Sequence, residues 1–379
     1  MQAVAEHRSK GRLPVVTYRH ARNGAVLLRS AQPLVGLAQK SCAEDEFLME
    51  CFRLRGCKLD DGSNYLGPKL YILDLRRQIA AAVNMATGKG TEDVSLYTNT
   101  EMVFCNIENI HVMRSSASLL SDHLGPSDDD AGFIARVEES GWLKHVSLVL
   151  ASARLAAEKL HLEGTTVLCH CSDGFDRTSQ MSALTQLLLD PFYRTLEGFA
   201  TVIEKDWCAF GHKFKDRCGH GLDFNIASDE RSPIFVQFLD AVHQLLVQFP
   251  TAFEFSDQLL IFLADHVYSC LYGNFIGNSY RQRHVELNVK DKTKSIWSVV
   301  LRRKDVFGNP KYVSWPRPLW PTCSLKGLVL WNRYLLRFDP SCHPHGLDGE
   351  DEWSDLWDDL FDAAGAKPND TGGEPTSHP

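Results

Sequence analysis

One cysteine of the chain, Cys171, stands six residues before an arginine, Arg177, in the segment HCSDGFDRT (170–178). The spacing alone is a weak signal because the chain has eleven cysteines, yet none of the other ten has an arginine at this offset. A cysteine attacks as its thiolate, which a helix N-terminus and a nearby guanidinium both favour. The segment therefore predicts covalent phosphate-ester chemistry with Cys171 as nucleophile. The alternative is a buried structural cysteine in a strand-to-helix turn.

The loop after this cysteine, residues 172–177, is called the Cys171 loop here. Its backbone N–H groups are expected to surround phosphate oxygens, and Arg177 can bind two oxygens side by side. The hydroxyl of Thr178 can hydrogen-bond the departing thiolate. Two loop carboxylates, Asp173 and Asp176, are unusual because they repel a phosphate dianion. We predict that one of them, Asp176, protonates the leaving oxygen; the alternative is that they cap the following helix.

The elements around this loop predict an α/β fold. Residues 69–76 and 165–171 have the short apolar pattern of strands. Residues 102–113 are expected to form a second buried strand and its exit loop. Apolar residues at three- and four-residue steps predict a helix over 143–160, and another helix is expected over 178–189. A strand, a loop and a helix in this order place a site at the carboxyl end of a strand.

The composition is that of a globular chain, with 44% hydrophobic and 23% charged residues. The formal net charge of −8 argues against a nucleic-acid partner. No cysteine pair has the spacing of a zinc site, so we expect neither a metal nor a cofactor. The start of the chain has no apolar leader, and reduced cytoplasmic thiols are expected. The apolar segment 258–277 contains Asp265 and His266, which favours a buried helix over a membrane span.

The segment HCSDGFDRT closely resembles the signature of the myotubularin family, and the resemblance extends over nearly the whole chain. Further blocks stand in the family's order: RLPVVTYRH (12–20), LLRSAQPLVGL (27–37), ENIHVMRSS (108–116), EKDWCAFGHKF (204–214), RSPIFVQFLDAVHQLLVQFPTAFEF (231–255) and YSCLYGNFIGNS (268–279).

The resemblance implies a phosphatase acting on phosphatidylinositol 3-phosphate and phosphatidylinositol 3,5-bisphosphate through a cysteinyl-phosphate. It also implies a cysteine-phosphatase-like sheet enlarged by extra helices, and a cytoplasmic enzyme bound peripherally to endosomal membranes.

The resemblance further implies substrate-binding residues. They are the loop residues Ser172, Asp173, Gly174, Phe175, Asp176 and Arg177 and the outlying residues Asn84, Asn109, Ile110, Lys213 and Arg217. Lys213 and Arg217 are expected to contact phosphates from one face of a helix, since they are four residues apart. As single residues they are more typical of surface charges, and Asn84 is more typical of a turn. Phe175 replaces the family's tryptophan, and Lys213 replaces an arginine and loses bidentate geometry.

Three regions are predicted: an N-terminal extension (1–11), a myotubularin-like phosphatase domain (12–342) and an acidic, partly disordered tail (343–379). Because the first family block begins at residue 12, the family's N-terminal lipid-binding domain of PH-GRAM type is expected to be absent. Apolar residues at helical spacing in the tail indicate either a helix that packs back on the domain or one that docks in a protein partner. These residues are Trp353, Leu356, Trp357, Leu360 and Phe361.

The sequence is compatible with two alternative functions. A dual-specificity-like protein phosphatase would share the nucleophile and the arginine, but such enzymes usually keep carboxylates out of the phosphate-binding loop. The presence of Asp173 and Asp176 therefore argues against it. A noncatalytic myotubularin-like scaffold is the alternative from another class, and turnover of a generic phosphate ester separates it from an enzyme.

Overall fold

A five-stranded sheet forms the centre of the part of the chain that the computed structural model describes, which is residues 1–54, 67–125, 131–221, 228–339 and 342. The strands are β1 Val15–Arg19, β2 Val26–Ala31, β3 Leu70–Asp74, β4 Thr100–Phe104 and β5 Thr166–Cys171. Their order is β1-β2-β5-β3-β4. β1 pairs with β2 in antiparallel orientation, and all other pairs are parallel. The predicted α/β class is confirmed.

Strand β5 lies in the middle of the sheet and is buried along its whole length. Its side chains alternate between two apolar layers, as the two-residue period of a strand requires. Val167 and Cys169 face the large layer that contains the helices, whereas Leu168 faces a smaller layer that includes Met49. The strand predicted over 69–76 is likewise confirmed as the buried β3.

Strand β4 departs from the prediction. It lies at the edge of the sheet and is only partly buried, because it has one neighbouring strand instead of two. The expectation of a buried strand over 102–113 is therefore wrong in its burial, and from Ile110 onward the chain is already helical.

Fifteen α-helices occur in the described ranges. They are α1 Gln2–His7, α2 Ala43–Leu54, α3 Gln78–Met85, α4 Ile110–His123, α5 Phe133–Glu139, α6 Trp142–His161, α7 Arg177–Leu189, α8 Leu196–Ile203, α9 Phe214–Cys218, α10 Ile234–Gln248, α11 Asp257–Ser269, α12 Val289–Lys292, α13 Ile296–Val300, α14 Lys304–Phe307 and α15 Asn332–Leu335.

The two helices predicted beside the Cys171 loop are α6 and α7. They pack against each other through small residues such as Ala153 and Ala183, which are fully buried. Every residue of α7 after Arg177 is buried. The helix that follows the nucleophile therefore lies inside the domain, which fixes the direction in which its N-terminus points.

The apolar segment 258–277 forms a buried helix only in part. Helix α11 ends at Ser269, and Cys270 has a φ of +58°, a left-handed conformation that ends the helix. In the ranges that the structure covers, no helix combines the length and the apolarity needed to cross a membrane.

Residues 1–11, predicted as an extension, pack against the domain. Val4 of α1 is buried, and Arg8 is buried among carboxylates. Ser9 donates a hydrogen bond to Asp173 in the Cys171 loop. The predicted tail, 343–379, lies outside the described residues, and so do both interpretations of its apolar stripe.

Candidate active site

The Cys171 loop connects the central strand to a buried helix. Cys171 is the last residue of β5, and α7 begins at Arg177. The loop therefore lies at the carboxyl edge of the parallel strands, where α/β proteins commonly bind ligands. Because the first N–H groups of a helix have no partner within the helix, the start of α7 favours a negative charge near the sulfur.

The sulfur of Cys171 receives two hydrogen bonds. The N–H of Gly174 donates to Sγ at 3.3 Å, and the hydroxyl of Thr178 donates at 3.2 Å. Burial by itself would raise the pKa of this thiol, but the positive charge of Arg177 and these two donors outweigh it. The net effect lowers the pKa below that of an ordinary cysteine. Cys171 is thus more readily ionised than an ordinary cysteine to the thiolate, the form that a nucleophile needs.

Arg177 is held by neutral acceptors. Its Nη1 donates to the carbonyl of Ile107 at 3.2 Å, and its Nη2 lies 3.4 Å from the hydroxyl of Ser172. No carboxylate of the described residues forms an ion pair with this guanidinium. Its charge is consequently left for a bound anion, and its planar donors suit two phosphate oxygens.

Gly174 is required by the shape of the loop. Its φ is +73°, and a Cβ at this position would lie 2.6 Å from the carbonyl oxygen of Ser30. Its own carbonyl accepts hydrogen bonds from Arg12 at 3.1 Å and Arg29 at 3.0 Å. The guanidinium of Arg12 also lies 4.5 Å from the ring centre of Phe175. Two arginines from outside the loop therefore brace it.

Arg29 is itself fixed by a buried ion pair. It contacts Asp206 at 2.8 Å, and both side chains are almost completely buried. Asp206 also accepts hydrogen bonds from Thr17 and Ser182. A buried pair of this kind is stabilising only when its remaining lone pairs are satisfied, as they are here.

Asp176 is held by two cationic side chains from outside the loop. Its carboxylate accepts from Nε and Nη2 of Arg217 at 3.1 and 2.9 Å, and from Nδ1 of His212 at 3.1 Å. Burial would raise the pKa of Asp176, but the hydrogen bond from His212 and the charge of Arg217 lower it well below its ordinary value. The carboxylate makes no capping hydrogen bond to α7, so the capping alternative is wrong for Asp176.

The comparisons with known proteins identify the family of this chain. The sequence model of the myotubularin-like phosphatase domain matches residues 1–284. The chain belongs to the myotubularin-like phosphatase family.

Two relatives illustrate the extent of the match. The chain is 41% identical over 341 residues to a protein named myotubularin from Xenopus tropicalis, covering 90% of this chain and 55% of that protein. It is 41% identical over 345 residues to the mouse protein named phosphatidylinositol-3,5-bisphosphate 3-phosphatase MTMR2, covering 91% of this chain and 52% of that protein. This myotubularin-like chain thus spans about half the length of the curated relatives it matches.

Asn84 is connected to the Cys171 loop through one intervening residue, Gln32. It belongs to the last turn of α3, so the interpretation as a turn residue is wrong. Its Nδ2 lies 3.4 Å from Oε1 of Gln32, and the N–H of Gln32 donates to the carbonyl of Ser172. The same oxygen of Gln32 accepts from Arg76. The structure therefore brings Asn84 to the edge of the site through Gln32.

Asn109 and Ile110 stand at the start of α4, next to the carbonyl that holds Arg177. The side chain of Asn109 caps α4 by accepting from the N–H groups of His111 and Val112. The carbonyl of Ile110 accepts from Ser232. Both residues are near the site in this myotubularin-like domain, but the amide oxygen of Asn109 is engaged in capping.

Lys213 and Arg217 differ in their solvent exposure and in the carboxylates with which they pair. Lys213 directly precedes α9, and its ammonium lies 5.7 Å from the ring centre of Phe175 and 3.4 Å from a carboxylate oxygen of Asp216. Arg217 lies within α9 and is buried. Its remaining nitrogen, Nη1, pairs with Glu230 at 2.7 Å. Arg217 therefore contacts the Cys171 loop through its ion pair with Asp176, whereas Lys213 contacts it through the aromatic ring of Phe175.

A buried ionic network lies behind the nucleophile, where sequence reasoning assigned no role. Oε2 of Glu92 lies 3.0 Å from Nε2 of His170, and Oε1 of Glu92 lies 2.5 Å from Nη1 of Arg8. Arg8 also pairs with Asp45 at 2.5 Å. All four side chains are fully buried, so the two carboxylates are balanced only when His170 is an imidazolium.

The pKa values of this network follow its charges. Burial would lower the pKa of His170, but the carboxylates of Glu92 and Asp74 raise it above its ordinary value. Burial would raise the pKa of Glu92, but His170 and Arg8 lower it. Since Cys171 follows His170 directly, the network fixes the end of β5 from which the loop departs. Its members are far apart in sequence and match no short motif, which is why they were missed.

Proposed function

We propose that this chain removes the 3-phosphate from phosphatidylinositol 3-phosphate and phosphatidylinositol 3,5-bisphosphate through a cysteinyl-phosphate intermediate. The observation that carries the proposal is the hydrogen-bonded sulfur of Cys171 beside Arg177, which forms no ion pair with any carboxylate in the described part of the chain. The substrate class is supported by the name of the mouse relative.

The first chemical step follows from the placement of the sulfur. The Sγ of Cys171 attacks phosphorus and forms an S–P bond, and the P–O bond to the inositol ring breaks with its electron pair. Arg177 and the loop N–H groups stabilise the equatorial oxygens. The leaving oxygen takes a proton, for which Asp176 is the proposed donor.

The second step hydrolyses the cysteinyl-phosphate. Water attacks phosphorus, the S–P bond returns its electron pair to sulfur, and Asp176 accepts a proton from the water.

The role proposed for Asp176 requires a change of its protonation state. With Arg217 and His212 as partners it is ionised near neutral pH. A phosphate dianion bound beside it raises its pKa, because two negative charges repel each other. Asp173, which accepts from Ser9, is the second loop carboxylate and the proposed partner of ring hydroxyls.

The outlying residues are proposed to bind the rest of the headgroup. Lys213 is suited to a second phosphate, since its ammonium lies beside Phe175 and is a third exposed. Asn84, Asn109 and Ile110 are proposed to line the inositol pocket. Arg217 is proposed to act on the substrate chiefly by holding Asp176.

The proposed substrates are membrane lipids, so we propose that the enzyme acts peripherally at a membrane surface in the cytoplasm, on endosomes as the family resemblance implies. A protein partner docked on residues 343–379 stays a prediction, because these residues lie outside the described ranges.

The test is phosphate release by the purified chain across a panel of short-chain phosphoinositide isomers. We expect release from the two lipids that carry a 3-phosphate, and little release from the isomers that lack one. A phosphotyrosine peptide belongs in the same panel, and Cys171→Ser is the control for a contaminating phosphatase. Preference for the peptide would identify a protein phosphatase, and absence of release from every ester would identify a scaffold; either outcome would refute the proposal.

A further inference from the structure

The carboxylate of Asp216 lies next to the cation proposed for a second phosphate. Oδ2 of Asp216 is 3.4 Å from Nζ of Lys213, and the two side chains are 30% and 33% exposed. Lys213 directly precedes α9 and Asp216 lies within it, so the two residues are three positions apart and share a face. The ammonium of this pair is the one that lies 5.7 Å from the ring centre of Phe175 in the Cys171 loop.

Asp216 is held in place by Asn278 through two reciprocal hydrogen bonds. Nδ2 of Asn278 donates to Oδ1 of Asp216 at 2.7 Å, and the backbone N–H of Asp216 donates to Oδ1 of Asn278 at 3.1 Å. The backbone N–H of Asn278 in turn donates to Oε1 of Gln282 at 2.6 Å. The carboxylate therefore turns away from Lys213 only by losing these contacts, whereas the four-carbon stem of the lysine is flexible.

Arg217, the other cation expected to contact phosphates, already has two carboxylate partners. Its Nη2 pairs with Asp176 at 2.9 Å and its Nη1 with Glu230 at 2.7 Å. Lys213 is therefore the member of the pair that can receive a second phosphate. Within the described part of the chain, Asp216 is the one carboxylate at ion-pair distance from Lys213. A phosphate bound there has to share the ammonium with Asp216.

We propose that Asp216 is a specificity-determining residue that disfavours the 3,5-bisphosphate relative to the 3-phosphate. The inference rests on the proposed function, in which Lys213 binds the second phosphate. A hydrogen bond between an ammonium and a phosphate oxygen is about 2.8 Å long, so this oxygen would lie no more than about 6 Å from Oδ2 of Asp216. At this distance a carboxylate and a phosphate dianion repel each other even in water.

The repulsion distinguishes the two lipids because only one of them carries a 5-phosphate. Both lipids carry the 3-phosphate and the phosphodiester, so an effect of Asp216 on these groups cancels in the ratio of the two kcat/KM values. A single and a double charge about 6 Å apart in water, partly screened at physiological ionic strength, correspond to about a three- to tenfold change in this ratio.

The experiment compares Asp216→Asn with the wild type on short-chain forms of the two lipids. The substitution removes the charge and keeps an oxygen that accepts from Asn278. The fold should be retained, since partly exposed ion pairs contribute little to stability. Glu163→Gln is the matched control, because Glu163 pairs with Lys159 at 2.7 Å and follows α6 at the amino edge of the strands, away from the Cys171 loop.

The measured quantity is kcat/KM for the 3,5-bisphosphate divided by kcat/KM for the 3-phosphate. We expect Asp216→Asn to raise this ratio about three- to tenfold, chiefly through a lower KM for the bisphosphate. The rise should shrink as sodium chloride increases from about 50 mM to about 500 mM, since salt screens exposed charges. A change in packing would not respond to salt in this way. In Glu163→Gln the ratio should stay that of the wild type, and an equal rise there would overturn the inference.

Binding of soluble headgroups to the Cys171→Ser variant separates this inference from the proposed reaction. If the wild-type chain hydrolysed no phosphoinositide, the proposed function would fail. Addition of Asp216→Asn should still tighten the binding of inositol 1,3,5-trisphosphate more than that of inositol 1,3-bisphosphate, and unchanged binding would then overturn the inference. In an active enzyme an unchanged ratio would overturn it. Equal gains on both lipids would also do so, because Asp216 would then act on a group that the lipids share.

Discussion

Replacement of Glu92 by glutamine tests the buried network behind the nucleophile. The substitution keeps the shape of the side chain and removes its charge. It leaves Arg8 with Asp45 as its partner, and it leaves His170 without the carboxylate that lies 3.0 Å from its Nε2. We expect His170 to lose its proton in the variant, since the remaining nearby carboxylate, Asp74, is already paired with Arg76 and does not replace Glu92 as a counter-charge.

The expected loss of stability is large. Removal of one partner from a buried ion pair costs about 3–5 kcal/mol. An unfolding entropy of about 2.1 cal/mol/K per residue gives about 0.8 kcal/mol/K for 379 residues. The melting temperature should therefore fall by about 4–6 °C relative to the wild type.

The loss should depend on pH in a defined way. The pKa of Glu92 is lowered, so its contribution is present above its ordinary value of 4.5 and is lost as the pH falls through the lowered pKa. The pKa of His170 is raised, so its contribution is full below its ordinary value of 6.5 and is lost as the pH rises through the raised pKa. The difference between wild type and variant should be largest between these two ordinary values.

The assay is thermal unfolding across this pH range, combined with the rate at which iodoacetamide alkylates Cys171, followed by mass spectrometry of its peptide. Alkylation at neutral pH should slow, because the end of β5 is no longer fixed beside a positive charge. Glu101→Gln is the matched control: Glu101 pairs with Lys69, but both side chains are substantially exposed, and such pairs contribute about 0–1 kcal/mol. Equal melting temperatures for the two variants would refute the account of the network.

Three predictions concern the site itself. Cys171→Ser should abolish turnover and retain substrate binding, because the loop N–H groups remain; measurable lipid hydrolysis by this variant would exclude Cys171 as nucleophile. Asp176→Asn should slow esters with poor leaving groups by about 10²–10⁴-fold and an activated aryl phosphate much less; equal losses on both would show that Asp176 is not the acid. Arg217→Ala should raise the pKa of Asp176 and move the alkaline limb of the pH–rate profile to higher pH, because the proton donor then stays protonated to higher pH, with similar losses on the 3-phosphate and the 3,5-bisphosphate. A much greater loss on the bisphosphate would instead indicate that Arg217 binds the second phosphate directly.

Local sequence patterns predicted the elements that carry the nucleophile. Strand β5 is a short run of apolar residues, and α6 repeats its apolar residues at helical spacing, so both are encoded within one window of sequence. Cys171 and Arg177 belong to the same loop, and no long-range contact is needed to bring them together. For the same reason β3 was predicted correctly.

Residues that act across the fold could not be predicted in this way. Arg12 reaches the carbonyl of Gly174 from 162 positions away, and Glu92, in the connection between α3 and β4, meets His170 of β5. Such partners depend on the packed topology and leave no period or spacing in the sequence. The partial exposure of β4 was missed for a related reason, since a strand's neighbours determine whether it lies at an edge.

The hydrogen bonds that Arg12 and Arg29 donate to the carbonyl of Gly174 order part of the Cys171 loop before any phosphate binds. In a trans peptide the C=O and N–H bonds point in opposite directions, so an anchored carbonyl also fixes the N–H of Phe175. The two arginines thus orient the N–H donor at the opposite edge of the same peptide unit. The loop is preorganised, and the affinity for phosphate is not reduced by the entropy of ordering it at each encounter.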